Sequence, residues 1–356
     1  MRLLCPRLRD RSAEANYDAP MVPRLLPWLA AAWLACPWTA TGGAAPTGGT
    51  RAAQAPGLAS AQEPTPRPTF TDPCQWVPRE DLQAKLPKAI TVREFRDDAL
   101  PLRGWLVTAR PEKSWRPEAS QPETGLRTTS AQATALGAVV AVNAGFFAPS
   151  GSVSTVVDEG EVVCCGPSAV NRDGSPYPVT RAAIGLDREG RPDCAWTWCF
   201  DRVVYALEAP VANAPGKPAQ APTRDQGRPW KGVEELLGGG PMLVADGALH
   251  NTEVAECFQS LGGASRHPRT AAGWAEDGTL LLLVLDGRSK ASRGATLNET
   301  AAILLAHGAH EALNLDGGGS TTLWVAGEVL NQPSDRAGER PVASILALVP
   351  EPDPGG

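Results

Sequence analysis

Residues 296–322 read TLNETAAILLAHGAHEALNLDGGGSTT: a helix, a strand and a run of glycines in direct succession. Thr296 stands three positions before Glu299, the spacing of a capping box in which hydroxyl and carboxylate satisfy reciprocal backbone donors. Leu297, Ala301, Leu304 and Leu305 then form one apolar stripe, and Gly308 suits the left-handed end of the helix. The next apolar run, Ala312 to Leu315, is short and ends at Asp316. Leu280 to Leu285 ends the same way, at Asp286, so two buried strands each stop in an Asp-Gly step.

Working outward, further short strand-like runs are Gly104–Thr108, Ala138–Val142, Val153–Val157, Glu161–Cys165, Ala182–Leu186, Val203–Leu207, Met242–Ala245, Thr322–Val325 and Val342–Val349. Leu82 to Val92 reads as a short helix leading into a strand. Residues 110–129 and 209–229 are polar and Pro-broken, and read as surface loops, the second an insertion. The expected class is α+β: a strand-rich mixed-sheet domain with a few packed helices. There is also an internal echo. Arg181-Ala-Ala-Ile-Gly-Leu resembles Arg269-Thr-Ala-Ala-Gly-Trp at an offset of 269 − 181 = 88, so related hairpins are expected twice.

The 356 residues carry 33 basic against 39 acidic side chains, a net charge of −6, which excludes a broadly basic nucleic-acid binder. Met21 opens an apolar stretch, with Arg24 ahead of Leu25 to Cys36, that reads as a secretory signal too brief to span a bilayer. The expected organisation is an extension and signal over 1–45 and a Gly/Pro/Ala-rich linker over 46–69. The folded body follows over 70–350, with a tail over 351–356. The expected location is secreted, periplasmic or envelope, without a transmembrane domain in the mature protein. A lipid anchor at Cys36 fits less well, because Trp33 replaces the small aliphatic residue of that pattern. Cys74, Cys164, Cys165, Cys194, Cys199 and Cys257 are expected to form disulfides, Cys194 and Cys199 being near enough in sequence to close a tight loop.

The densest chemical signal is Asn314-Leu-Asp316-Gly-Gly-Gly-Ser320-Thr321. Strand alternation puts Asn314 and Asp316 on one face. Gly317, Gly318 and Gly319 let backbone N–H groups approach a ligand, and Ser320 and Thr321 add hydroxyls suited to a phosphate or sugar oxygen. A plain turn does not require three glycines, whose ordering costs backbone entropy. No Lys follows them, so this is not a phosphate-binding P-loop, and neither a dinucleotide fingerprint nor an esterase elbow is present. In Asn143-Ala-Gly145-Phe-Phe147, Asn143 is a candidate for orienting a sugar hydroxyl and Gly145 for a close backbone turn. Arg269, Arg288 and Arg340 are candidates for holding phosphate, since guanidinium offers paired donors.

These pieces together resemble the phosphodiester glycosidase family. The resemblance runs through Asn143-Ala-Gly-Phe-Phe, Gly239-Gly-Pro-Met-Leu-Val with Asp246-Gly247, Arg269-Thr-Ala with Gly273, and Val284-Leu-Asp286-Gly-Arg288-Ser. It continues through Arg293-Gly with Leu297 and Glu299, Asn314-Leu-Asp-Gly-Gly-Gly-Ser-Thr-Thr, Asn331, Pro333-Ser-Asp335 and Arg340-Pro-Val342, covering about residues 139–349. It implies hydrolysis of a sugar-1-phosphodiester at the C1–O bond, in the family N-acetylglucosamine leaving a phosphodiester on mannose. A bacterial-looking signal shifts the expected partner toward phosphodiester-linked glycans of a cell wall or exopolysaccharide. Asp316 is the first choice for the carboxylate that stabilises an oxocarbenium-like transition state, with Asp286 as its partner. Glu299 is a third catalytic candidate, with a competing task in the capping box. No cofactor is required by this chemistry, although the carboxylates leave room for a divalent ion such as calcium. The alternative is an exported module that binds polysaccharide through the same polar loop without catalysis.

Overall fold

The computed structural model describes residues 68–120, 125–172, 174–258 and 263–351. The export signal, the linker up to residue 67 and the tail beyond 351 lie outside the described residues. All that is described belongs to one contact unit, Pro64–Gly356.

The body is α+β and strand-rich, with an eight-, a seven- and a five-stranded sheet and three α-helices among the described residues. The strand pairs described are all antiparallel. Leu280–Leu285 explains its own composition: it runs mid-sheet between Leu102–Ala109 and Arg269–Ala275, and both its faces are buried. Leu280, Leu282 and Val284 enter the main core, whereas Leu281, Leu283 and Leu285 enter a second one. A strand covered on both faces reads as a continuous apolar run rather than an alternation. The second core is closed by the helix Leu297–Ala306 through Leu297, Ala301, Ile303 and Leu304. Both halves of the expected capping box are present, and Gly308 takes φ +86° just beyond the helix. Each of the leucine and isoleucine side chains among these, buried from water, contributes on the order of 2 kcal/mol before entropy is counted.

The sequence echo is a structural repeat. Arg181–Leu186 pairs with Pro192–Phe200 and with Glu235–Gly238; Arg269–Ala275 pairs with Leu280–Leu285 and with Ala309–Asn314. The registers coincide. Ile184 faces Cys194 and Ala272 faces Leu282, both shifted by 88; Leu186 faces Glu235 and Trp274 faces Glu311, shifts of 88 and 76. Ala182, Ile184 and Leu186 of one unit share the main core with Ala272, Leu282 and Leu313 of the other.

Three expectations need correction. Residues 110–129 are not all loop: Trp115–Ser120 forms an edge strand of the five-stranded sheet, and Thr129–Leu136 is a helix capped by Thr128. Pro117 obscures the signal, but an edge strand tolerates proline, and Trp115, Pro117 and Ala119 alternate inward. The stretch around Leu82 is, as expected, a short helix, Glu80–Gln83, leading into a strand, Ile90–Asp97. The end of the 209–229 segment pairs, through Arg228–Pro229, with Val203–Leu207. Finally, Cys194 and Cys199 lie on the one strand Pro192–Phe200. Five residues of extended chain separate them by roughly 16 Å, beyond the span of a disulfide. All six cysteines in the described body are unbridged. Among the described residues no helix is long and apolar enough to cross a membrane.

Candidate active site

The strand Ala309–Asn314 delivers Asp316 to the point where the eight- and five-stranded sheets meet. The Asp316 N–H donates to the Ala144 carbonyl at 2.8 Å, and Asn143 Nδ2 donates to the Asp316 carbonyl at 2.6 Å. Asn143 is fully buried, and its Oδ1 accepts from the Thr270 hydroxyl at 2.7 Å and from the Thr322 N–H at 3.0 Å. Its oxygen is therefore fully used, and one of its two N–H groups is committed to the Asp316 backbone. It holds Asp316, Thr270 and Thr322 in register instead of presenting an amide to a sugar. Gly145 is required by packing, since a Cβ there would lie 2.7 Å from Ser154 Cβ.

Beyond Asp316 the glycines make a short turn, Gly318–Ser320, anchored by the Gly318 N–H on the Pro268 carbonyl at 2.9 Å. Gly318 has φ +63°, and a Cβ there would lie 2.9 Å from Arg288 Nη2. A Cβ on Gly319 would collide with Arg340 and Asp335. The glycines thus allow two guanidinium groups to approach the backbone of the loop from different sides. Arg340 is held as a fork by Asp335, with Nε and Nη2 at 2.8 and 3.0 Å, and its Nη1 reaches Ser320 Oγ at 3.4 Å. Arg288 has φ +59°, a strained backbone for a branched-out side chain, and its Nη2 lies 3.3 Å from His267 Nδ1. Arg269 is 5% exposed and spends Nε and Nη2 on the Ala295 and Ser265 carbonyls.

Two carboxylates stand among these cations, Asp335 paired with Arg340 and Asp316 on the loop itself. Burial pushes Asp316 up to about 6, against the Ser320 hydroxyl, Arg340 and the Gly317 N–H, which favour its ionised form. Burial lowers Arg269 to about 10 against the pull of Glu253 and Glu299, and burial, Arg269 and Arg288 lower His267. Asn314 Nδ2 is used on the Gly240 and Leu315 carbonyls, whereas Asn314 Oδ1, Thr321 Oγ1 and Thr322 Oγ1 are buried without a protein partner. Unpaired polar atoms of this kind mark places where a ligand or water completes the set.

Two other candidates hold the frame. Asp286 is 3% exposed and accepts from Asn331 Nδ2 at 3.2 Å and the Gln332 N–H at 3.0 Å; burial raises it to about 6. Asn331 continues to the Thr321 carbonyl and the Leu323 N–H, so Asp286 reaches the glycine loop through it. Glu299 caps its helix and pairs with Arg266 at 2.9 Å and Arg293 at 3.2 Å. Burial alone would raise it, but the Thr296 N–H and those arginines hold it below the usual range. Thr270, His267 and Asp335 were not singled out by residue type. The only signals were their places inside or beside motifs already noted: Thr270 after Arg269, Asp335 five before Arg340. Among the described residues no group of three or more His, Cys, Asp or Glu side chains is arranged to hold a metal ion.

Residues 202–349 match the phosphodiester glycosidase family model. The N-acetylglucosamine-1-phosphodiester alpha-N-acetylglucosaminidase of Bos taurus is 37% identical over 110 residues, 28% of this chain and 21% of that protein. The SPbeta prophage-derived uncharacterized protein YomE of Bacillus subtilis is 41% identical over 83 residues, 23% of this chain and 13% of that protein. The matched segments thus span about a fifth or less of these relatives. Among solved structures, the zebrafish N-acetylglucosamine-1-phosphodiester alpha-N-acetylglucosaminidase catalytic domain, auto-inhibited by its pro-peptide, superposes with TM-score 0.50 at 19% identity, covering 73% of this chain and 82% of that one. A hypothetical protein from Synechocystis gives 0.51 at 18% identity, covering 73% and 62%. Residues 202–349 are thus similar in sequence to the phosphodiester glycosidase family, and the solved structures share the fold of the chain.

Proposed function

We propose that the protein hydrolyses a sugar-1-phosphodiester at the glycosidic C1–O bond, releasing the free sugar and a phosphomonoester. The observation that carries this reading is Asp316, half-buried on a glycine loop that Arg288 and Arg340 approach closely. A phosphate is already a good leaving group, so the protein's main task is to neutralise the charge that builds on its oxygens as the bond to C1 lengthens. Arg288 and Arg340, both close against the glycine loop, serve that task. Asp316 carries a negative charge at neutral pH and faces the developing positive charge at C1, as stabiliser or as attacking group. Water supplies the oxygen that ends on C1, and its proton leaves with the phosphomonoester. Asn143 and Asp286, through Asn331, keep the loop from shifting. The aglycone of choice is a phosphodiester-linked glycan outside the cytosol, in keeping with the apparent export signal.

Incubation with a panel of sugar-1-phosphodiesters in oxygen-18 water tests the bond cleaved. Label in the released sugar supports attack at C1, and label in the phosphate overturns it. Glycan binding with no turnover across the panel would favour the non-catalytic module instead.

A further inference from the structure

The repeat places a second arginine where the first unit has Arg269. The Leu315 N–H donates to the Thr270 carbonyl, and its counterpart, the Gly239 N–H, donates to the Ala182 carbonyl, both at 2.8 Å. One position further in the same register sets Asp316 beside Arg269, but Gly240 beside Arg181. The second unit therefore has the cation without the loop carboxylate. Its guanidinium is largely buried and stacks on the Phe258 ring at 3.7 Å, and Phe258 packs on Phe146 at 5.2 Å. Arg181 Nη1 is buried with no hydrogen-bond partner, and among the described residues no carboxylate lies within ion-pair distance. The nearest negative charge, Glu256, already accepts from the Ala182 and Met242 N–H groups, Trp196 Nε1 and the Thr252 hydroxyl.

Arg172, which donates to the Cys257 carbonyl at 2.6 Å, adds positive charge, and its Nε is also buried without a partner. Beside Arg181 lies a cavity of about 30 Å³, lined also by Thr155, Ser168 and Thr197. That is room for about two oxygen-sized atoms, and a guanidinium offers paired donors suited to the non-bridging oxygens of a phosphodiester. Packing links Arg181 to the frame of the glycine loop: Phe146 lies three residues after Asn143, and Gly240, which a Cβ would drive into Phe258, receives the Asn314 Nδ2–H on its carbonyl at 3.1 Å.

We propose that Arg181, supported by Arg172, binds a second phosphodiester of the substrate, so that the preferred substrates are polyanionic glycans with phosphodiesters in successive units. This rests on the reading of the Asp316 loop as the site of hydrolysis, and its test separates the two. Calorimetric titration of the full chain with inorganic phosphate is expected to show two sites. R181Q weakens one at least tenfold and R340Q weakens the other. R181K, which keeps the charge but not the fork, serves if circular dichroism shows R181Q unfolded, and weakens the same site. Two unchanged phosphate sites in the folded Arg181 variant would overturn the proposal whatever the activity. In turnover, wild type favours a substrate whose aglycone bears a second phosphodiester over one with a neutral aglycone by at least tenfold in kcat/KM, and R181Q loses that preference. An equal rate on both substrates in wild type also overturns it. If neither is hydrolysed yet the two phosphate sites respond as stated, the hydrolytic reading fails and the second anion site stands.

Discussion

Replacing Asn143 by Ala tests whether Asp316 is positioned by a buried amide. Asn143 has no exposure, and its side chain makes three hydrogen bonds: to the Asp316 carbonyl, from the Thr270 hydroxyl and from the Thr322 N–H. Thr270 can turn its hydroxyl, but the Asp316 carbonyl and the Thr322 N–H are fixed backbone groups with no water to replace the amide. Each buried orphan costs about 1–3 kcal/mol, so N143A is expected to lose about 3–5 kcal/mol of a total typically between about 5 and 15. Urea denaturation followed by tryptophan fluorescence measures the loss as a lower midpoint at unchanged slope. The release of Asp316 adds a kinetic signature. With the best sugar-1-phosphodiester, kcat should fall about 10²-fold under conditions where the variant remains folded, because an ångström of misplacement has that scale. A destabilisation below about 1 kcal/mol, with kcat intact, would refute the reasoning: Asn143 would then not be what holds the carboxylate.

Three further outcomes are expected. D316N should abolish most turnover, and in wild type kcat/KM should rise with pH through about 6, where Asp316 ionises, then level off; a flat profile between pH 5 and 8 would remove Asp316 as the ionising group. Burial pushes Glu235 from 4.5 up to about 8, so the folded chain binds the extra proton between those values and stability falls as pH rises through that window, by on the order of 4 kcal/mol. E235Q should flatten this slope in denaturation curves at pH 5, 7 and 9, and equal slopes in both proteins would contradict it. G319A places a methyl group against Arg340 and Asp335 and should lower kcat/KM by about 10²-fold while Tm moves only a few degrees, measured by steady-state kinetics and calorimetry.

Much of the frame was legible because local rules produced it. The helix Leu297–Ala306 announced both ends through Thr296, Glu299 and Gly308, and the strand Leu280–Leu285 declared its burial by being apolar throughout. The repeat was visible as two Arg-led strands 88 residues apart. Trp115–Ser120 was missed because Pro117 mimics a loop, and only pairing with Ile345–Pro350 makes it a strand. The Cys194 and Cys199 expectation failed for the same kind of reason: closeness along a chain means separation along a strand.

What the sequence determined by itself was chemistry by position: an acid after a strand, three glycines after the acid, and arginines at recurring strand starts. Tertiary structure alone decided which polar groups are free. It filled Asn143 with three backbone and hydroxyl partners, tied Asp286 to Asn331 and Gln332, and gave Glu299 to the helix cap and two arginines. It left Asp316 half-buried beside Arg340, and Arg181 Nη1 without a hydrogen-bond partner. The physical reason is that hydrogen-bonding capacity is finite and is allotted between segments far apart in the chain, so a residue's availability to a ligand depends on neighbours that no local pattern names.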